Sequence, residues 1–430
     1  MCGFVGYILS GHTSRPEPAR WSEVIRHRGP DQGGHVADGE FGIGTRRLAI
    51  LDLSETGSQP MRGERYTLGF NGEIYNHMEI RAALEGEAPV AWRSRSDTET
   101  VLRAVERWGV SAALARLNGM YALALFDAHE RALTLARDPL GIKPLLYLER
   151  PDGILFASEL KALRPYSAGR ISADGMALYL LFGFVPAPFS LLADVQKLLP
   201  GEVLRICQGA RRRHFVQPLA WDTAPSPLPT ITERMAQLRA EVSAAVSRQL
   251  LSDVPVGFFL SGGVDSTIVA AVAARIASGL TSFSIRPEGA AADPGAQVDA
   301  DLAASFAHDH GFAHHEISLR PEILTDDLAS LIDLLDEPTA ELYFAAEVLL
   351  SRRARAAGVA VVLTGHGGDE VFLGYPSYSA QIKGERYDGI PFFGPALRTL
   401  ATLPIVPRDA RDNMRGAAEI WRRPFLECYA

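Results

Sequence analysis

Cysteine is scarce in this chain: Cys2, Cys207 and Cys428 are the three among 430 residues. The number is odd and no C-x-x-C pair occurs, which argues against a disulfide frame or a structural zinc site. It fits a reducing compartment, with the cytoplasm as the expected location. Positive charge is in deficit too, since 43 Lys and Arg face 51 Asp and Glu for a formal charge of -8. A field of that sign repels nucleic acid and anionic membrane, so neither is an expected partner. Long hydrophobic runs are missing. The longest, from Met176 to Phe189, is cut by Gly183, Pro186 and Pro188 and falls short of the roughly 20 residues of a membrane helix. Met1-Cys2-Gly3-Phe4 has no basic stretch of the kind that opens a signal peptide, and Cys428 stands one place off the prenylation position. Internal repeats, low-complexity tracts and long charge runs are likewise absent.

What remains is a chain 47% apolar, long enough for two or three domains with their own cores. The first two hundred residues carry short β-type segments between turn residues, such as Gly3–Leu9, Phe41–Leu51, Tyr66–Phe70, Tyr121–Asp127 and Ala132–Arg137, with one clear helix over Asp97–Trp108. Strands this frequent predict packed antiparallel sheets. Pro218, Pro225, Pro227 and Pro229 then crowd a segment that neither a helix nor a central strand accommodates, which predicts a linker over 216–232 between domains at 1–215 and 233–430. Beyond it, alanine-rich amphipathic stretches alternate with the apolar runs Val256–Leu260, Leu280–Ile285 and Val359–Leu363. That alternation predicts a parallel sheet covered by helices.

Cys2 stands directly after the initiator, so removal of Met1 would give one residue both a thiol and a free α-amine. The amine, with an ordinary pKa near 8, is a base already tethered to the nucleophile. Gly3 and Gly6 permit close backbone approach, and Arg26-His27-Arg28-Gly29-Pro30-Asp31 is a dense polar cluster. Asn71-Gly72-Glu73-Ile74-Tyr75-Asn76 reads as a turn closing a short strand, with amides that could face an oxyanion.

Taken in order, Cys2-Gly3, RHRGPD at 26–31, RRLAILDLSETGSQPM at 46–61, NGEIYNH at 71–77, SRSDTE at 94–99 and RDPLGIKPL at 137–145 resemble a class II glutamine amidotransferase domain, and most closely that of the asparagine synthetase family. The resemblance implies an αββα N-terminal-nucleophile fold in which the processed cysteine attacks the amide of glutamine, releasing ammonia and then, through a thioester, glutamate. It implies Arg47 as the holder of the glutamine carboxylate, a task suited to a bidentate guanidinium. Asn71, through its side-chain amide, and Gly72, through its N–H, match the oxyanion donors. Glu73 and Asp97 match the carboxylates that bind the substrate α-amine.

In the second half, Phe259-Leu260-Ser261-Gly262-Gly263-Val264-Asp265-Ser266 follows an apolar strand and opens a helix. A strand, a Gly-rich turn and a helix N-terminus together offer unpaired N–H groups to a phosphate. The loop lacks the GxxxxGK[ST] pattern and instead resembles the PP-loop of adenine nucleotide α-hydrolase-like enzymes, which split ATP into AMP and pyrophosphate. A second Gly-rich turn, Thr364-Gly365-His366-Gly367-Gly368-Asp369-Glu370, ends another apolar run. If the two strands are parallel, both turns reach the carboxyl edge where open α/β folds bind nucleotides. The family resemblance implies that Ser261, Gly262, Gly263, Asp265 and Ser266 hold ATP together with Leu260, Ile285, Thr364 and Gly365. It implies Asp265 and Asp369 as carboxylates for Mg2+, which prefers oxygen ligands, and puts Asp299 near the pyrophosphate.

Asp336-Glu337-Pro338 resembles a family segment near the acceptor, which makes Glu337 an acceptor-site candidate. Two departures stand beside it: Glu341-Leu342-Tyr343 lacks the acidic-x-Ser pattern, and His366 replaces an acidic residue facing the acceptor. The family resemblance implies a K-x-x-L-R segment beyond the second Gly-rich turn. None follows Tyr375, and Arg422-Arg423-Pro424-Phe425-Leu426, similar to a family stretch that precedes it, lies at the end, so by that resemblance the second domain is expected to be shortened at its C-terminus. The implied reaction is glutamine-dependent, ATP-consuming amide synthesis with aspartate as the default acceptor, and a homodimer is a compatible assembly. Another carboxylate acceptor, a glutaminase with a non-productive synthetase half, and a nucleotide-sensing scaffold are the alternatives. Intact Cys2, Arg47, Asn71 and Asp97 weigh against the scaffold.

Overall fold

A computed structural model of the chain describes residues 1–375, except 12–13, 208, 217–229, 289–293, 321, 323–327 and 342, and also Tyr378. The proline-rich segment and the stretch Arg422–Leu426 therefore lie outside the described residues. The first half is built from β1 (Gly3–Leu9), β2 (Gln32–Asp38), β3 (Phe41–Arg47), β4 (Met61–Arg62), β5 (Tyr66–Ile74), β6 (Gly119–Asp127), β7 (Ala132–Arg137), β8 (Leu146–Arg150), β9 (Gly153–Ala157), β10 (Val195–Lys197), β11 (Glu202–Cys207) and β12 (Ala210–Phe215). They form two six-stranded antiparallel sheets, ordered β10-β8-β9-β1-β3-β2 and β12-β11-β7-β6-β5-β4.

Alternation along the strands explains why the sheets stack. In β1, Phe4 packs between the sheets with Phe41, Phe126 and Phe156, whereas Val5, Tyr7 and Leu9 face outward onto Trp21, Ile25 and Leu160. In the other sheet, Leu68, Phe70, Leu123 and Leu125 face an outer layer containing Leu84, Val101 and Val105, while Ala124, Phe126 and Leu135 fill the space between sheets. Period-two alternation with both faces apolar requires a helical layer on each outer side. The result is an αββα sandwich. The expected helix over Asp97–Trp108 is present: the Ser96 hydroxyl accepts the Thr98 N–H at its start, and Gly109, at a φ of 78°, ends it. A second outer helix, His77–Glu87, was not evident from the sequence pattern.

The second half contains β13 (Val256–Phe259), β14 (Thr281–Pro287), β15 (Ala313–Leu319) and β16 (Val361–Leu363). All pair in parallel, in the order β15-β14-β13-β16. Helices Val264–Ala274, Pro294–Asp309 and Tyr343–Ala356 supply the crossovers. Their alanines allow close approach to the sheet, with Ala270, Ala273, Ala303 and Ala307 buried against Phe258 and Leu260. Because β13 and β16 are neighbours, the loops that follow them emerge side by side at the carboxyl edge.

The halves touch at several points. Asp336 accepts the backbone N–H groups of Leu160 and Lys161. Glu337 accepts the Leu191 N–H at 2.6 Å and pairs with Lys197. Asp253 meets the Ile50–Asp52 turn. Among the described residues no helix is long and apolar enough to cross a membrane.

Candidate active site

Cys2 immediately precedes β1, which lies inside its sheet between β9 and β3. Its placement is fixed by Arg28, whose Nε donates to the Cys2 carbonyl at 3.0 Å. Arg28 Nη1 is itself held by Glu159 Oε1 at 2.8 Å, and His27 meets the same oxygen at 2.9 Å. Burial pushes Glu159 up, but the hydrogen bonds from His27 and Arg28 outweigh it and hold the carboxyl at about 2. The Cys2 thiol donates to the Leu48 carbonyl, with 3.6 Å between the heavy atoms. Burial raises its pKa, while the terminal amine and Arg47 act in the opposite direction. That amine belongs to Met1, and burial pushes it down to about 5, with Arg28 and Lys143 adding to the shift.

Of the turn expected over Asn71–Asn76, only Tyr75-Asn76 forms, closing β5. Both residues of the Asn-Gly pair lie inside β5, where Asn71 pairs with Ala122 and Gly72 with Tyr121. Strand pairing with β6 overrides the local turn preference. Alternation then decides which side chains are offered. Leu68 and Phe70 face the outer helices, so Gly69, Asn71 and Glu73 face the opposite sheet, and a side chain on Gly69 would strike Ile43 of β3. Asn71 is fully buried, and neither Oδ1 nor Nδ2 has a hydrogen-bond partner. A buried amide with no partner is costly. A ligand oxygen would satisfy it.

Glu73, Asp97 and Arg47 are buried nearby. Asp97 accepts the Ile74 N–H at 2.9 Å. Burial pushes Glu73 up to about 8, with the Asp97 charge adding to the shift, and burial pushes Asp97 up to about 6. Two carboxyls that resist ionisation together are suited to an incoming ammonium, which relieves both. Arg47 Nη1 donates to Gln32 at 2.7 Å and Nη2 to the carbonyls of Leu51, at 2.9 Å, and Asp52. Lys143 was not singled out by sequence reasoning, although it lies in the quoted RDPLGIKPL motif. It is buried, its pKa is lowered by burial and by Arg28, and Glu73 and Cys2 pull it the other way.

The raised pKa values set a pH dependence. Glu73 is neutral in the free protein until the pH approaches 8, so an ammonium finds its full counter-charge only above that point. If this pair takes the ammonium of glutamine, the KM for glutamine falls by roughly tenfold from pH 6 to pH 8 as the pair ionises. In stability the sign is opposite for the free protein. A folded pKa above the usual 4.5 adds stability that is fully present below 4.5 and is lost as the pH rises through about 8. Glutamine should therefore raise Tm more at pH 8 than at pH 6. A flat KM profile together with a pH-independent Tm shift would remove Glu73 and Asp97 from the site.

At the edge of the parallel sheet, the loop after β13 is tightly bonded to itself. Ser261 Oγ and Ser266 Oγ lie 2.9 Å apart, and the Gly263 N–H donates to Ser261 Oγ at 3.3 Å. Gly262 has a φ of 84°, and a side chain there would drive into the backbone carbonyl of Asp299. Asp299 thus lies against the loop. The β16 loop comes equally close: a Cβ on Gly365 would meet the Ser266 N–H, and one on Gly368 the Asp265 carboxylate. Asp265 and the segment leading to Asp369 therefore share one edge. The Leu260 side chain is buried in the core with Phe258, and Ile285 is partly buried against the same sheet. The Thr364 hydroxyl accepts the His366 N–H at 3.3 Å.

The two acceptor candidates differ in setting. Glu337 is turned to the first half by its bonds to Leu191 and Lys197. His366 is exposed, with Glu347 Oε1 3.5 Å from its Nε2. Where the two halves meet lies a cavity of about 250 Å3 whose lining includes Met1, Arg28 and Leu48 of the first half and Phe259, Val359 and Val362 of the second. Arg28 and Leu48 are the residues that touch Cys2. Phe259 ends the strand that leads into Leu260–Ser266.

A sandwich of antiparallel sheets with a thiol at the head of a central strand, followed by a parallel sheet with paired Gly-rich loops, defines an N-terminal-nucleophile amidotransferase fold joined to a PP-loop nucleotide-binding fold. The family model for the glutamine amidotransferase domain matches residues 1–216, and that for asparagine synthase matches residues 237–427. Asparagine synthetase [glutamine-hydrolyzing] 1 of Bacillus subtilis is 34% identical over 407 residues, covering 91% of this chain and 61% of its own. The asparagine synthetase [glutamine-hydrolyzing] of Sandersonia aurantiaca is 30% identical over 393 residues, covering 87% of this chain and 67% of its own. The chain belongs to the glutamine-hydrolysing asparagine synthetase family. It spans about three fifths of the length of the Bacillus relative.

Proposed function

We propose that the chain carries out glutamine-dependent amide synthesis, with division of labour between domains at 1–215 and 233–430 joined through 216–232. The observation that carries this reading is the cavity bounded both by the residues that touch Cys2 and by the end of β13. With Met1 removed, the α-amine of Cys2 takes the thiol proton and Sγ attacks the amide carbon of glutamine. Asn71 Nδ2 and the Gly72 N–H would steady the oxyanion, Arg47 would hold the carboxylate, and Glu73 with Asp97 would hold the ammonium. Ammonia leaves, and water releases glutamate from the thioester.

In the second half, Ser261, Gly262, Gly263 and Ser266 would surround ATP phosphates, with Leu260, Ile285, Thr364 and Gly365 along the nucleotide. Asp265 and Asp369 are hard oxygen donors from the first turns of the helices that follow β13 and β16, a pairing suited to Mg2+, which takes one or two carboxylates and completes its shell with phosphate and water. When bound, the ion offsets phosphate charge. An acceptor carboxylate displaces pyrophosphate to give an acyl-adenylate, and ammonia arriving through the cavity displaces AMP to give the amide. Aspartate is the first acceptor to consider. The exposed His366 beside Glu347 favours a second reading, an acceptor whose charge differs from that of aspartate near its α-amine.

An acceptor screen separates these readings. Pyrophosphate release is followed with ATP, Mg2+, glutamine and one carboxylic acid at a time, aspartate first. Pyrophosphate and AMP should form only with the correct acceptor present, and the amide should form in equal amount. ADP as the sole nucleotide product would exclude adenylation, and glutamate release with no acceptor-dependent pyrophosphate would leave a glutaminase.

A further inference from the structure

We propose that Asp253 is a positioning residue for glutamine, through which the second half holds the turn that presents Arg47. The inference rests on Arg47 and Asp97 being glutamine ligands. Asp253 lies three residues before β13 and grips the turn at two points: its Oδ2 accepts the Asp52 N–H at 2.8 Å, and its own N–H donates to the Ile50 carbonyl at 2.9 Å. The next atoms along that turn are the Leu51 and Asp52 carbonyls that accept Arg47 Nη2. Asp52 has a φ of 57°, a left-handed conformation that a non-glycine residue keeps only when neighbours enforce it.

The side chain of Asp52 extends the connection. It accepts Ser94 Oγ at 2.6 Å and the Arg95 N–H at 2.8 Å. Burial would raise its pKa, but the hydrogen bonds from Ser54, Ser94 and Arg95 dominate and keep it well below the usual carboxylate range. Ser94-Arg95-Ser96 leads directly into Asp97. Arg47 and Asp97, which would take opposite ends of the glutamine backbone, therefore hang from one turn. The outer anchor of that turn comes from a residue 201 positions away in the chain, so the glutamine site is completed across the domain boundary. The ion pair of Asp253 with the exposed Arg95, at 3.4 Å, adds little in water. It is the acceptor oxygen that matters, and asparagine supplies one.

The test uses the full chain and measures glutamine hydrolysis for Asp253→Ala, Asp253→Asn and, as a reference, Arg47→Ala. Asp253→Ala is expected to raise the KM for glutamine by roughly fivefold to tenfold, about the worth of one ordinary hydrogen bond. Its kcat should stay within about twofold, since no reacting group is moved. Asp253→Asn should bring KM back to within about twofold of the parent. Pyrophosphate formation with ammonium in place of glutamine should be unchanged in both variants, which general unfolding would not allow. An unchanged KM in Asp253→Ala, a loss confined to kcat, or an Asp253→Asn variant as impaired as Asp253→Ala would overturn the proposal. If Arg47→Ala itself leaves KM unaltered, the glutamine-site reading falls and takes the proposal with it. If Arg47→Ala raises KM and Asp253→Ala does not, only the proposal falls.

Discussion

Cys2→Ala is expected to lower glutamine hydrolysis by at least about a thousandfold, because the proposed route runs through a thioester on Cys2 and removal of a nucleophile eliminates a whole covalent route. Ammonia-dependent amide synthesis should continue near the parental rate. The separation follows from geometry: the Cys2 thiol makes one weak hydrogen bond among the described residues, to the Leu48 carbonyl, so its truncation is expected to disturb neither β1 nor the parallel sheet. The backbone of Cys2 stays tied to Arg28 through the carbonyl. Glutamate release with glutamine and pyrophosphate release with ammonium chloride are the two readouts. Loss of both together would contradict the division of labour, and retention of glutaminase turnover would remove Cys2 as nucleophile.

The second large effect is expected at Asp265. Replacing it with Asn keeps the size of the side chain, which matters where Gly365 and Gly368 leave room for nothing more, and removes one charge from the loop edge. Pyrophosphate formation should fall on the order of a hundredfold, since electrostatic support of phosphate oxygens by a held divalent ion is worth several kcal/mol. Glutamine hydrolysis should not change. Raising the Mg2+ concentration should recover part of the lost rate if the carboxylate is an ion ligand. A synthetase rate equal to the parent at low Mg2+ would take Asp265 out of the site.

Much of this arrangement was legible in the residues, and what was hidden has a common cause. The helix over Asp97–Trp108 could be read because Ser96 and Gly109 mark its ends locally. The two Gly-rich loops could be placed together because β13 and β16 are parallel neighbours, as the alternating pattern required. Asn71 and Gly72 misled in detail, since their turn preference is overruled by pairing with Ala122 and Tyr121, residues about fifty positions away. The strand in turn orients Asn71 and Glu73 to one face, the arrangement on which the proposed oxyanion and ammonium roles rest. Contacts such as Lys197 with Glu337, or Asp253 with Asp52, leave no local signature. They arise only when two separately patterned halves are docked, and Asp253 in particular reads in sequence as one more loop acid.

The low pKa of Glu159 has a practical meaning for anyone titrating this protein. The carboxylate that steadies Arg28, and through it the backbone of Cys2, keeps its charge across the whole range from mild acid upward. The Glu159–Arg28 pair is thus a fixed background against which the proposed response of Glu73 and Asp97 between pH 6 and 8 is read. The protein carries its own internal standard.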